Sequence, residues 1–146
     1  MISLRGITEE NFDAVVGMKR PDDEHFVASN AYSLAQCWLY REGGDVFPRA
    51  IYHDDEPVGF LLLEEDMEER ELVIWRMMFP EEHANKGYGA EVIRQIISLA
   101  RAAQKYHHIA LICHPENVRA RHLYDKLGFL PTGKICYGDV EMQLKL

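Results

Sequence analysis

Cysteine is scarce in this chain of 146 residues: Cys37, Cys113 and Cys136 are odd in number and widely spread. That argues against a disulfide framework or a cysteine metal site and fits a reducing, cytoplasmic setting. No apolar run reaches the roughly 18 residues of a membrane-spanning helix. The first residues, Met1 to Gly6, lack a long apolar stretch and a small-residue cleavage site, so no signal peptide is expected. Positive charge is also short. Lys and Arg total 16 against 24 Asp and Glu, for a net charge of −8. Bulk electrostatics therefore disfavour nucleic acid and anionic membranes as partners. No repeat, low-complexity tract or Pro/Gly/Ser linker divides the chain, so residues 1–146 are expected to form a single domain. At 47% hydrophobic residues it is long enough to bury a core.

The acidity is local. Nine acids lie between Asp54 and Glu71 (Asp54, Asp55, Glu56, Glu64, Glu65, Asp66, Glu68, Glu69 and Glu71) against the single base Arg70. For most of them a solvated hairpin turn is the simpler reading. One or two at strand ends could instead form an attractive rim for a cationic ligand.

Periodicity sets the expected elements. A first strand covers 2–7, and a short helix starts at Thr8 as N-cap and is broken at Pro21-Asp22-Asp23. Phe26, Val27, Ala31, Leu34, Ala35, Trp38 and Leu39 recur at three-and-four spacing, predicting a helix over 24–41 that ends at Gly43-Gly44. Strands follow at 47–52 and 57–63. An acidic loop at 64–69 leads to a long strand at 72–79, stopped by Pro80. Helices are expected at 88–105 and 117–127, the second ended by Gly128. Between them lies a fully apolar strand, Ile109 to Cys113, as expected for a buried central one. Strands at 130–136 and 140–144 close the chain. The class is α/β (α+β): a mixed sheet of about seven strands with helices on both faces.

The chemistry-bearing segment is Ala84-Asn85-Lys86-Gly87-Tyr88-Gly89-Ala90, which follows the long strand and opens a helix. Its glycines allow close backbone approach, and the first helical turn offers unpartnered N–H groups to an anion such as a diphosphate. Gly-x-Gly also occurs in ordinary strand-to-helix turns. It is no Walker loop, and it lacks the third glycine of a dinucleotide fingerprint.

About thirty residues beyond Gly87 stands Asn117-x-x-Ala120-x-x-Leu123-Tyr124-x-x-x-Gly128-Phe129. The two segments together resemble the GNAT family of N-acetyltransferases, whose core pattern is Gln/Arg-x-x-Gly-x-Gly/Ala followed by Asn-x-x-Ala-x-x-Leu-Tyr-x-x-x-Gly-Phe. The resemblance extends over nearly the whole chain, with one departure: Ala84 stands where the family has Gln or Arg. The stretches 26–36 and 75–78 further resemble bacterial diamine and polyamine (spermine/spermidine) acetyltransferases.

The resemblance implies acetyl-CoA as co-substrate, no metal, and direct transfer of acetyl to a primary amine. It implies that the pantetheine arm pairs with the backbone of Met77, Met78 and Phe79, and that an N–H near Met78 or Phe79 stabilises the oxyanion. By the same resemblance, Ala84, Asn85, Lys86, Gly87, Tyr88, Gly89 and Ala90 hold the diphosphate. Asn117 touches the cofactor arm, and Tyr124 protonates the departing thiolate. From position alone, Tyr124 reads as a core residue of an amphipathic helix.

An amine with a pKa of about 10 must lose a proton before attacking. Glu64 and Glu65 are the first candidates to accept it, followed by Glu24 and His25, although each reads individually as solvated. Asn30, Tyr32 and Trp75 are candidates for the acceptor pocket; Tyr32 and Trp75 read equally as core aromatics. Arg76 is expected to face solvent or pair with an acid. His107, His108 and His114 lack the spacing that would put three metal ligands on one face. The expected acceptor is a polyamine or diamine. Alternatives are another small amine, an antibiotic or a protein N-terminus, or a CoA-binding sensor with little catalysis. The apolar final strands would permit a homodimer.

Overall fold

The computed structural model describes residues 1–22 and 24–146. Among these, seven strands form one sheet: β1 (Ile2–Arg5), β2 (Val46–His53), β3 (Glu56–Asp66), β4 (Glu71–Met78), β5 (His108–Cys113), β6 (Leu130–Cys136) and β7 (Asp139–Lys145). The order across the sheet is β1-β2-β3-β4-β5-β7-β6, antiparallel except for the central pair β4 and β5. Four α-helices accompany it among the described residues: α1 (Phe12–Gly17), α2 (Asn30–Leu39), α3 (Tyr88–Ala103) and α4 (Val118–Lys126). Among the described residues no helix is long and apolar enough to cross a membrane.

The expected mixed sheet with covered faces is found, because the strands carry two sets of apolar side chains. On one face Ile51, Leu61, Leu72, Ile74, Ile109 and Leu111 pack with Val92, Ile93, Ile96 and Ala100 of α3, flanked by Leu123 and Tyr124 of α4. On the other, Ala50, Phe60, Leu62 and Met78 pack with Val15 of α1, flanked by Leu34 and Cys37 of α2. α3 is also tied to the first strand. The N–H of Ile2 donates to Glu91, and the Gln95 amide donates to the carbonyl of Ile2 at 2.8 Å. α4 ends as Gly128 predicts. Gly128 has φ 97°, Phe129 N–H donates to the Tyr124 carbonyl, and Gly128 N–H donates to that of Asp125. That pair of bonds is a Schellman cap.

The departures from expectation are local. The helix expected over 24–41 is confined to Asn30–Leu39, capped by Ser29, whose hydroxyl accepts from Tyr32 N–H at 3.1 Å. Residues 24–29 are irregular, and Glu24, Phe26, Val27 and Ala28 line a cavity instead. Tertiary placement overrides the apolar spacing there. The first helix starts at Phe12 with Asn11, not Thr8, as N-cap; the Asn11 side chain reaches back to the N–H of Thr8 at 2.9 Å. Of the expected break at Pro21-Asp22-Asp23, Asp23 lies outside the described residues. Glu64, Glu65 and Asp66 belong to β3 and not to an acidic loop, since strand pairing runs on to Asp66–Glu71. The first strand stops at Arg5 and the third helix at Ala103. Arg76 is half-buried and pairs with no acid among the described residues. It bonds Ser33 and Gln36 of α2 and lies against the rings of Tyr32 and Trp75.

Two features of β4 create a site. First, Leu62 pairs with Arg76 while Leu63 pairs with Ile74, so Trp75 is an extra residue in a β-bulge. Side-chain parity flips across it: Leu72 and Ile74 face the α3 core, whereas Met78 faces the other. Second, β4 pairs with β5 only from Glu71 to Ile74, opposite His108 to Leu111. Beyond the bulge the two parallel strands part, and β4 has no strand partner on that side.

Candidate active site

The parted strands open into a cavity of about 520 Å³. Its walls include Met77, Met78 and Phe79 from β4 and its exit, and the whole segment from Ala84 to Ala90. Cys113, Asn117 and Tyr124 close the opposite side. Residues separated by nearly fifty positions in sequence are thus brought to one place. They meet because both βα connections leave the sheet at the same end, as parallel neighbours must.

The glycine turn is built for close approach. Gly87 is the N-cap of α3 at φ 82°, a left-handed conformation that favours glycine, and a Cβ there would point into open space. Asn85 is also left-handed at φ 61°. No side chain caps α3, so its first-turn N–H groups are not taken by a capping residue, and the dipole adds partial positive charge there. Gly89 packs closely: a Cβ would meet Leu123, Met77 and Phe79 at 3.4 to 3.6 Å. These features fit a diphosphate. Ala84 lies in the wall but brings no polar side chain to it.

On the other wall, Asn117 caps α4, its Oδ1 accepting from Ala120 N–H at 3.3 Å. Tyr124 stands about two turns further along, with its ring 6.0 Å from that of Phe129. Burial pushes its phenol pKa well above the ordinary value, and Cys113 adds to the effect. The hydroxyl keeps its proton across the physiological range. The Cys113 thiol, also raised by burial, donates weakly toward the carbonyls of His114 and Asn117.

An ion pair braces the exit of β4. Arg20 binds both carboxylate oxygens of Glu24, at 3.0 and 2.8 Å, and its remaining arm donates to the Phe79 carbonyl at 2.8 Å. Glu24 therefore reaches the cavity wall already engaged. Phe26 crosses from the same loop to His114 after β5, with ring centroids 5.0 Å apart. Trp75 also lines the cavity.

The other acceptor candidates lie elsewhere. Asn30 is buried, donating to the Val15 carbonyl and to the Met78 sulfur, so it supports β4 from behind. Tyr32 is exposed on α2 beside Arg76. Glu65 is held by Lys105 and the Tyr106 hydroxyl, each at 2.9 Å, and Lys105 lowers its pKa. Glu64 enters a second cleft with Leu39, Tyr40, Glu42, Asp45 and Trp75. Burial first, then Asp45 and Asp66, raise its pKa. Trp75 belongs to both hollows. Sequence reasoning missed Arg20, Phe26 and Arg119 as lining residues. Only Arg20 left a signal, its four-residue spacing from Glu24.

The chain matches the acetyltransferase (GNAT) family over residues 9–129. Among curated proteins it is similar to a spermine/spermidine N(1)-acetyltransferase of Bacillus subtilis, at 22% identity over 99% of this chain and 97% of that protein. It is also similar to the uncharacterized N-acetyltransferase YbbJ of the same species, at 28% identity over 86% of this chain and 82% of that one. Among solved structures, spermidine N-acetyltransferase from Vibrio cholerae in complex with CoA and spermine superposes with a TM-score of 0.78. That pair shares 18% identity over 99% of this chain and 95% of the other. A dodecameric structure of the Vibrio cholerae enzyme gives 0.75. With its family pattern extending from before α1 to the cap of α4, and with the parted strands, glycine turn and buried tyrosine gathered around one cavity, this chain belongs to the acetyltransferase (GNAT) family.

Proposed function

We propose that the protein transfers acetyl from acetyl-CoA to a primary amine of a polyamine or diamine such as spermidine or spermine. The observation that carries the reading is the separation of β4 from β5 beyond Ile74 and Leu111, next to an uncapped helix N-terminus. Acetyl-CoA supplies the activated acyl group as a thioester. The chain supplies the rest. First-turn N–H groups of α3, with Gly87, Gly89 and the neighbouring Asn85 and Lys86, hold the diphosphate. The unpaired edge of β4 at Met77, Met78 and Phe79 takes the extended arm as an added strand, with Asn117 on the far side. An N–H of that edge donates to the thioester oxygen as negative charge develops. Tyr124 gives its proton to the departing sulfur.

The second cleft favours a polycation. It joins the carboxylates of Glu42, Asp45 and Glu64 to the rings of Tyr40 and Trp75, and it meets the acyl cavity at Trp75. Carboxylates and aromatic faces both attract ammonium groups. Glu64, whose raised pKa brings it nearer to that of a useful base, accepts the proton of the incoming amine. The names of the similar Bacillus and Vibrio proteins point to the same acceptors. We further propose a cytoplasmic enzyme that self-associates through its edge strand β6, where Leu130 and Ile135 are exposed.

The test is thiol release from acetyl-CoA with spermidine, spermine, a panel of monoamines and a peptide with a free N-terminus, together with calorimetric titration of CoA. Turnover highest with the polyamines supports the proposal. Turnover only with monoamines or peptide N-termini moves the acceptor assignment. Ala84 favours one rival, a CoA-binding sensor, because it withdraws a side-chain ligand from the diphosphate. Tight CoA binding with no thiol release on any amine would establish that rival.

A further inference from the structure

Two hollows of opposite charge meet at one residue. The second cleft is lined by Glu42, Asp45 and Glu64, and no cation among the described residues joins them. The acyl cavity is lined by Arg20, Arg76, Lys86 and Arg119 against the acids Glu24 and Asp139. Trp75 alone belongs to both. The next residue in the bulged strand, Arg76, lies on the cationic side.

Arg76 carries a charge where the fold would be served as well by a neutral side chain. It is half-buried between β4 and α2. A cation taken out of water ordinarily has a counter-charge, because desolvation penalises the charged form. Arg76 has none among the described residues. Its Nη1 donates to the Ser33 hydroxyl at 3.0 Å and to the Gln36 amide oxygen, and its guanidinium lies against the rings of Tyr32 and Trp75. These partners fix the group without cancelling its charge. The titratable groups beside it on α2 are Tyr32 and Cys37. Elsewhere in the cavity Arg20 is closed on Glu24, and Lys86 stands at the glycine turn. His83, Tyr88, Cys113, His114 and Tyr124 complete the titratable groups of that wall.

An amine acceptor makes two opposed demands. Its ammonium groups must be attracted, yet the nitrogen that attacks must be uncharged. We infer that the boundary at Trp75 sorts the nitrogens of a polyamine, with Arg76 as the charge that keeps the reacting one neutral. The inference rests on the polyamine reading above and adds how that substrate is oriented and deprotonated. The distal ammonium groups stay among Glu42, Asp45 and Glu64. The terminal nitrogen that crosses Trp75 enters a positive field, which favours its neutral form. Its proton passes to the Glu64 carboxylate, leaving a free amine and a neutral carboxyl. A monoamine has no distal charge to offset the repulsion and binds poorly.

The experiment is kcat against pH at saturating spermidine and acetyl-CoA for the wild type, Gln36→Glu, Arg76→Gln and Arg76→Lys, with Tm recorded for each. Gln36→Glu keeps the oxygen that holds Arg76 and cancels the charge in place, so it tests the field without removing the residue. The midpoint of the ascending limb should rise by about one pH unit in Gln36→Glu and in Arg76→Gln. A unit charge within roughly 12 Å, at an effective dielectric of about 20, supplies that shift. Arg76→Lys retains the charge and should retain the wild-type midpoint, whatever its Tm. The KM for butylamine should fall about threefold or more in Gln36→Glu, since the repulsion is gone. A midpoint unmoved in Gln36→Glu, with kcat lowered equally at every pH, would make Arg76 a strut between β4 and α2 and overturn the inference. A midpoint that moves as far in Arg76→Lys would overturn it too. A wild-type protein that releases thiol with no polyamine would instead overturn the underlying acceptor reading.

Discussion

Gly59 is the position where a single methyl group tests the geometry of the proposed acyl site. It lies on β3 beside Phe60, whose partner Met78 is the last residue of β4. A Cβ built there would fall 2.7 Å from Cδ1 of Phe79 and 2.8 Å from the Met78 carbonyl oxygen. Ordinary contact begins near 3.4 Å, so about 0.6–0.7 Å of overlap must be relieved. Neither neighbour yields easily. The Met78 carbonyl belongs to a strand paired with Phe60, and the Phe79 ring is flanked by Gly89 and Tyr88. Gly59→Ala should therefore cost about 1–3 kcal/mol as overpacking. At roughly 4 °C per kcal/mol for a domain of this size, that lowers Tm by about 4–12 °C. The same displacement moves the β4 edge proposed to hold the thioester. Because about 1 Å of misplacement can cost about a hundredfold in rate, kcat/KM for acetyl-CoA should fall by about tenfold or more. Gly6→Ala is the control: no atom lies within 4 Å of its Cβ, and its Tm should stay within about 2 °C. Differential scanning fluorimetry and initial-rate kinetics read both variants. A Gly59→Ala protein that melts and turns over like Gly6→Ala would refute the claim that β4 is rigidly set from behind.

Other outcomes follow from the same geometry. Tyr124→Phe should lower kcat by about a hundredfold, within the range for a lost general acid, while leaving the Kd of CoA within about twofold; an unchanged kcat removes Tyr124 from the chemistry. Because burial raises its pKa, no loss of activity from its ionisation should appear below about pH 10. Gly87→Val places a β-branched residue at φ 82°, a strain of about 1–3 kcal/mol, and should weaken CoA binding more than Gly87→Asn. Isothermal titration of both variants checks this, and equal affinities would reassign the loop. Glu64 has a folded pKa above its ordinary value, so its ionisation opposes folding. The folded state loses stability as pH rises from the ordinary carboxyl range through that raised pKa. Glu64→Gln should accordingly raise Tm at pH 8 and leave it unchanged near pH 4, while lowering kcat with spermidine if Glu64 accepts the proton.

Much of the fold is legible from the residues alone. The strict apolar periodicity of Val92, Ile93, Ile96, Ile97 and Ala100 sets α3, and β-branched runs set β4 and β5, because burial dominates the energetics of long regular segments. Gly87, Gly128 and Asn117 mark the helix termini, since their local conformations and bonds depend little on distant contacts. The spacing of glycine turn and asparagine-tyrosine helix was also enough to bring the resemblance into view.

Other features belong to the tertiary structure. Phe26 and Val27 carry helical spacing, yet the packing of residues 24–29 over the cavity keeps them out of a helix. Trp75 is an ordinary strand residue until pairing with β3 makes it a bulge and turns the residues after it to opposite faces. Glu64 and Glu65 are adjacent and chemically alike, but the pleat sends one into a cleft that raises its pKa and the other to Lys105, which lowers it. Local sequence specifies backbone preference and burial; the meaning of a charge depends on which strand or helix lies across from it. Long-range pairing alone settles that, and here it also decides that β4 and β5 part where a thioester could lie.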